Sequence, residues 1–159
     1  MRITIICVGK IKEKYFTQAI DEYAKRLSRY CKLDFVEVAD EMTPNGCSEG
    51  EENLIKAKEG DRILKAIKDE MYVINLAING KKYDSLGLSQ YIERLGVDGK
   101  SHLAFVIGGS LGLDERVMRR GDASISFSDM TFPHQLMRVL LLEQIYRSYR
   151  IMNNEPYHK

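Results

Sequence analysis

Two loops and a carboxy-terminal stretch hold the residues of this chain whose types and spacing could do chemistry. The first loop, I-G-G-S-L-G-L from Ile107 to Leu113, follows a continuous apolar run. Its Gly108 and Gly109 would let a ligand approach the backbone without interference from a Cβ. The second loop, S-F-S-D-M-T-F-P-H from Ser126 to His134, is rich in hydroxyls and main-chain N–H groups. Such a loop can hydrogen-bond a base edge through its main chain while Phe127, Met130 and Phe132 wall it off from water. It contains no Lys or Arg, which suits a positively charged ligand better than a phosphate; a plain Ser/Thr-rich helix cap is the structural alternative. In the last third of the chain, His134, Glu143, Arg147, Tyr157 and His158 are the groups able to move a proton or stabilise an anion. His158 alone combines an ordinary pKa near neutrality with a place on a tail that could cover a substrate, the bland alternative being a frayed, solvated end.

Other chemistries find no support. The loop after the first strand, Gly9-Lys10-Ile11-Lys12, is not a GxGxxG cradle, and no GxxxxGK[ST] run exists for a nucleoside triphosphate. Cys7, Cys31 and Cys47 are odd in number and lack CxxC spacing, and His102, His134 and His158 make no familiar zinc spacing with them. No metal is expected. A reducing, cytoplasmic compartment is.

The elements that must position these groups are legible from periodicity. Arg2 to Val8 reads as a strand, and Phe16, Ile20, Tyr23, Leu27 and Tyr30 form one stripe of a helix spanning about Lys12 to Tyr30. Leu33 to Val38 is a second strand, and Pro44, Asn45 and Gly46 mark a turn in the loop that follows. A helix is expected from Glu49 to Lys68, acidic at its start and basic at its end. A third strand runs from Met71 to Ile78, with Asn79-Gly80 as its turn, and a helix from Ser85 to Leu95. His102 to Ile107 is apolar throughout, as in a strand covered on both faces. A short helix from Asp114 to Arg119, a strand from Ser124 to Phe127 and a helix opened by Pro133 complete the chain. That last helix carries apolar residues on more than one face, which points to cover by a second copy of the chain. Alternating strands and helices predict an α/β fold, a mostly parallel sheet with helices on both faces, as one domain over residues 1–159.

Composition sets outer bounds. With 44% hydrophobic and 30% charged residues, the chain is too apolar for disorder and too interrupted by charge for a membrane span. A net charge of +1 excludes a grip on bare nucleic acid by charge alone, without excluding a nucleic-acid substrate. Charge is uneven, however. Residues 1–33 carry eight basic and three acidic side chains, whereas residues 34–61 carry two and nine.

Taken together, Ile3 to Phe16, Phe105 to Leu113, Ser126 to Ile151 and the terminal Pro156 to Lys159 resemble one family over essentially the whole chain. The order and spacing of these blocks resemble the ribosomal RNA large subunit methyltransferase H (RlmH) family of the SPOUT superfamily. The resemblance implies a Rossmann-like SPOUT fold with a carboxy-terminal trefoil knot, and a homodimer. It also implies methyl transfer from S-adenosyl-L-methionine to N3 of a pseudouridine in helix 69 of 23S rRNA; the net charge of +1 points to the folded surface of the assembled ribosome as the substrate. Carried over by motif, the cofactor pocket comprises Leu76, Gly108, Phe127, Ser128, Asp129, Met130, Thr131 and Phe132, and the catalytic candidates are His158, Tyr157 and Arg147. Lys159 follows the histidine, so an arginine at the chain end would here be replaced by a point charge without a planar fork.

Two rival functions stay open on sequence alone, a non-catalytic ribosome-associated RNA-binding protein and an S-adenosylmethionine-dependent tRNA methyltransferase. In the ribosomal methyltransferase reading, Lys10, Lys12, Lys14, Arg116, Arg119 and Arg120 are the expected phosphate contacts, doubled by the dimer.

Overall fold

Five short runs become five parallel strands, and the two central to the core, Arg2–Val8 and His102–Ile107, are buried on both sides of the pleat. The computed structural model describes residues 1–159. In chain order the elements are β1 (Arg2–Val8), α1 (Lys14–Leu27), β2 (Lys32–Val38), α2 (Glu49–Ala66) and β3 (Tyr72–Lys82). Then follow α3 (Ser85–Val97), β4 (His102–Ile107), α4 (Glu115–Arg120), β5 (Ala123–Ser126) and α5 (His134–Met152). The sheet order is β2-β1-β4-β3-β5, with every neighbouring pair parallel. The doubly covered α/β sheet expected from the sequence is what forms.

Alternation along the strands divides the core in two. Ile3, Ile5 and Cys7 of β1 and Leu103, Phe105 and Ile107 of β4 face the layer of α1, α3 and α5. Ile6 and Val8, with Ala104 and Val106, face α2 and α4 through Ile63 and Val117. Leu141, Leu142 and Ile145 of α5 are fully buried in the larger cluster, and truncating such a residue to Ala costs about 2–5 kcal/mol.

Three expectations require correction. Asn79-Gly80 is not a terminal turn but lies inside β3, which continues to Lys82. Helix α1 is shorter than its stripe, since the chain turns at Ser28–Tyr30 and Tyr30 packs from outside the helix, stacked on Tyr149. Pro133 is the N-cap of α5 rather than its first helical residue. No helix is long and apolar enough to cross a membrane.

Candidate active site

Parallel strands deliver their carboxyl ends to one edge of a sheet, and ligand crevices of open α/β sheets open there. At that edge the chain after β4, the far part of β3 and the chain after β5 enclose a cavity of 490 Å³, with the start of α5 at its side.

The glycine loop forms one wall. Its Gly112 amide donates to the Gly109 carbonyl at 3.1 Å, and Gly112 has φ +86°. A Cβ on Gly108 would lie 2.9 Å from the carbonyl carbon of Gly112. Gly108 is therefore demanded first by closure of the loop on itself, a reason the sequence did not reveal.

An irregularity in β3 supplies the floor. Leu76 pairs with Ile125 of β5, and so does Lys81, so residues 77–80 bulge out between two pairings. Ala77, Ile78 and Asn79 thereby line the cavity. Gly80 lets the strand return, because a Cβ there would sit 2.5 Å from the carbonyl carbon of Ile125. Sequence reasoning missed all of these lining residues. The only available signal was an Asn-Gly with no second strand pairing back across it.

The hydroxyl loop closes the other side. Ser126 Oγ donates to the Ser128 carbonyl at 3.0 Å, and the Met130 amide donates to Ser128 Oγ at 3.0 Å. These bonds shape the loop itself; α5 has no side-chain cap, which overturns the cap alternative. Phe127, Ser128, Met130, Thr131 and Phe132 line the same cavity as Leu76 and Gly108. Asp129 does not. Its carboxylate is exposed and pairs with Lys82 Nζ at 2.5 Å. No Lys or Arg lines the cavity, and its one ionisable lining group is His134. Burial, with the Arg138 guanidinium second, holds His134 below the ordinary histidine range.

Arg138 anchors this end of α5. It is 2% exposed and donates to the carbonyls of Val8 at 3.0 Å and Gly9 at 2.7 Å, and to Glu37 Oε2 at 2.7 Å. The cavity's helix is thus tied to the end of β1.

The three catalytic candidates do come together, around Glu143. Arg147 donates from Nε and Nη2 to Glu143 Oε1 at 3.0 and 2.6 Å and from Nη1 to His158 Nδ1 at 3.1 Å. Its guanidinium lies 4.7 Å from the Tyr157 ring centroid, and the Tyr157 hydroxyl donates to Glu143 Oε1 at 3.1 Å. Burial and that carboxylate push the Tyr157 phenol up to about 12, so it stays a donor at neutral pH. The tail is folded onto its helix rather than frayed. Arg150 helps hold it there by pairing with Glu155 and donating to the Pro156 carbonyl at 2.9 Å.

A cavity of this kind at the end of a parallel sheet fits several enzyme classes, and comparison with known proteins narrows them. Residues 1–158 match the family described as predicted SPOUT methyltransferase. Proteins named ribosomal RNA large subunit methyltransferase H from Clostridium botulinum (strain Alaska E43 / Type E3) and Clostridium tetani are each 62% identical over 159 residues, covering the whole of both chains. The chain belongs to the ribosomal RNA large subunit methyltransferase H family of SPOUT methyltransferases. The fold agrees: a probable methylase family protein from Haemophilus influenzae Rd KW20 superposes with a TM-score of 0.55 at 14% identity, covering 99% of this chain and 70% of that one. Membership makes the protein an enzyme, a methyltransferase, and directs attention to the crevice just described.

For this methyltransferase the expected phosphate contacts divide in two. Arg116 is occupied by Asp114, Asp61 and the Ala57 carbonyl, Arg119 by Glu115, and Arg120 by Asp122 and two main-chain oxygens. Arg116 and Arg120 are thus held against the fold, whereas Arg119 makes only an exposed pair one helical turn away. Lys10, Lys12 and Lys14 are exposed, in the segment following β1 on the cavity's edge of the sheet. No group of three or more His, Cys, Asp or Glu side chains is placed to hold a metal ion.

Proposed function

We propose that this protein, acting as one domain over residues 1–159, methylates N3 of a pseudouridine in helix 69 of 23S rRNA in the assembled ribosome. S-adenosyl-L-methionine is the donor and the cytoplasm the setting. The observation that carries the reading is that seven residues implied by the family resemblance line one cavity free of Lys and Arg. Such walls fit a cationic sulfonium with a flat heterocycle. The main-chain groups of Ser128 to Phe132 would hold the heterocycle's edge, and Leu76, Phe127 and Phe132 would exclude water. The donor supplies an electrophilic methyl group.

On the acceptor side, an N3–H between two carbonyls must lose its proton, and negative charge then spreads to the flanking oxygens. Arg147 and His158 are equipped to receive that charge. The Arg147 guanidinium, which only donates, occupies His158 Nδ1, so the ring proton resides on Nε2 and points away as a hydrogen-bond donor. His158 thus serves as an anion stabiliser rather than as the base, and the N3 proton passes to solvent water.

Donor cavity and tail cluster lie at opposite ends of α5. Met137 lines the cavity, whereas Arg147 follows ten residues later, about 15 Å along the helix axis. A homodimer resolves the separation by bringing one protomer's tail to its partner's cavity. The half-buried Leu136, Val139 and Leu140 of α5 supply apolar surface for such an interface. The trefoil knot belongs to the same reading.

The test is to incubate the protein and labelled S-adenosylmethionine with ribosomes from a strain lacking the enzyme, then map the label. Label at a helix 69 pseudouridine is expected; label confined to transfer RNA ends the proposal.

A further inference from the structure

Glu59 is a carboxylate without an assigned task. It sits in the interior of α2, is 5% exposed and does not line the cavity. Burying such a group costs free energy that an aliphatic residue at the same helical position would avoid, so its contacts need an account. One oxygen, Oε2, accepts its only hydrogen bond, from the Glu41 amide at 3.0 Å. The other faces the glycine loop: a Cβ on Gly109 would lie 3.0 Å from Glu59 Oε1, and 3.3 Å from Val8 Cγ1. One turn further along α2, Arg62 donates to the Ala39 carbonyl at 2.9 Å and to Glu41 Oε1 at 2.5 Å. The segment after β2 is thus gripped at its base, and it reaches the glycine loop a second time through Thr43 Oγ1 and Ser110 Oγ, 3.5 Å apart.

We propose that Glu59 is a positioning residue of the glycine loop: from α2 its carboxylate packs against Gly109 and accepts the Glu41 amide of the Ala39–Ser48 segment, a brace that presets the wall that meets the methyl donor. The inference rests on reading the cavity as the donor pocket. It accounts for a glycine at position 109: the Gly109 carbonyl closes the loop on the Gly112 amide whatever the side chain, whereas a Cβ there would press on the Glu59 carboxylate and on Val8. Burial, with Asp40 and Glu41 nearby, holds the Glu59 carboxyl above the ordinary glutamate range. A neutral amide of the same shape can accept the same bond.

The full-length protein and its variants would be compared by calorimetric titration with S-adenosylmethionine, by kinetics on ribosomes, and by hydrogen exchange of the amides from Gly109 to Leu113. Glu59→Ala is expected to weaken donor affinity about tenfold, the worth of a hydrogen bond to a charged group, while kcat at saturating donor stays within about twofold. Glu59→Gln should restore affinity to within about twofold of the original. Gly109→Ala should weaken donor binding, and by less when Glu59 is already Ala, because the two side chains no longer compete for one space. Unchanged affinity in Glu59→Ala, or strictly additive losses in the double variant, would overturn the proposal. Hydrogen exchange separates this from failure of the pocket reading. If the unmodified protein shows no heat with the donor, faster exchange over residues 109–113 in Glu59→Ala still establishes the brace, and unchanged exchange removes it.

Discussion

Arg147 Nη1 donates to His158 Nδ1 at 3.1 Å, and Arg147 is itself held on Glu143 by two further bonds of 3.0 and 2.6 Å. The histidine is therefore oriented by the arginine, and the arginine by the glutamate. If the pair stabilises the pyrimidine anion, His158→Ala and Arg147→Ala each lower kcat by about 100-fold or more with donor affinity unchanged. Arg147→Lys keeps the charge but not the fork, and falls between. Weaker donor binding at unaltered kcat would move both residues to the cofactor side.

The separation of cavity and tail along α5 predicts complementation. Protomers carrying Gly108→Arg, which blocks the donor cavity, are mixed with protomers carrying His158→Ala. If the proposed homodimer pairs one protomer's tail with its partner's cavity, mixed dimers contain one intact composite site, and activity should return although each parent is nearly inert. Failure of mixing to restore turnover, with mixed dimers shown to form, would place both halves in one chain.

Gly80 is where β3 comes back to β5, with a would-be Cβ only 2.5 Å from the Ile125 backbone. Backbone cannot yield as a flexible side chain can, so Gly80→Ala should cost about 1–3 kcal/mol in urea unfolding. Donor affinity should drop as well, since the bulge places Ala77 to Asn79 in the cavity wall.

Removing Arg138 strands the Val8 and Gly9 carbonyls inside the protein. Arg138→Met fills the space without satisfying them, and a loss of about 2–4 kcal/mol in chemical denaturation is expected. Glu37→Ala should destabilise as well, because it leaves the Arg138 guanidinium, 2% exposed, without its carboxylate.

Lys10, Lys12 and Lys14 should part ways with Arg116 of α4 in salt dependence. Replacing the three lysines with Ala should raise the KM for ribosomes and flatten its dependence on salt by up to about three contacts. Arg116→Ala, whose guanidinium is taken up by Asp61, Asp114 and the Ala57 carbonyl, should leave that slope alone. Equal flattening by both would return Arg116 to the RNA-facing set.

Stability should decline on mild acidification. His102 is buried with Nε2 2.8 Å from Thr4 Oγ1, and burial, then the Arg2 guanidinium, holds its pKa below the ordinary value. The unfolded chain then takes up the proton first. Stability is full above about pH 6.5 and is lost as the pH falls from there to the folded-state pKa. The urea midpoint measured from pH 7.5 to 5 should show this slope, reduced in His102→Asn. A slope unaltered by that substitution assigns the loss to His134, which shifts the same way.

Much of the architecture was legible because it is written in short-range pattern. The apolar run His102–Ile107 dictates a strand covered on both faces, and the glycine and hydroxyl loops follow strands directly, so their place at the carboxyl edge of the sheet followed from parallel topology. Periodicity carries no information on which distant side chains meet. That Asp129 turns to Lys82, that Arg116 is consumed by Asp61, that residues 77–80 bulge, and that the tail folds back on Glu143 were decided only when the chain was packed. Each depends on segments brought together across the sheet or along α5, where the choice of partner is set by the space and charge the rest of the fold leaves available.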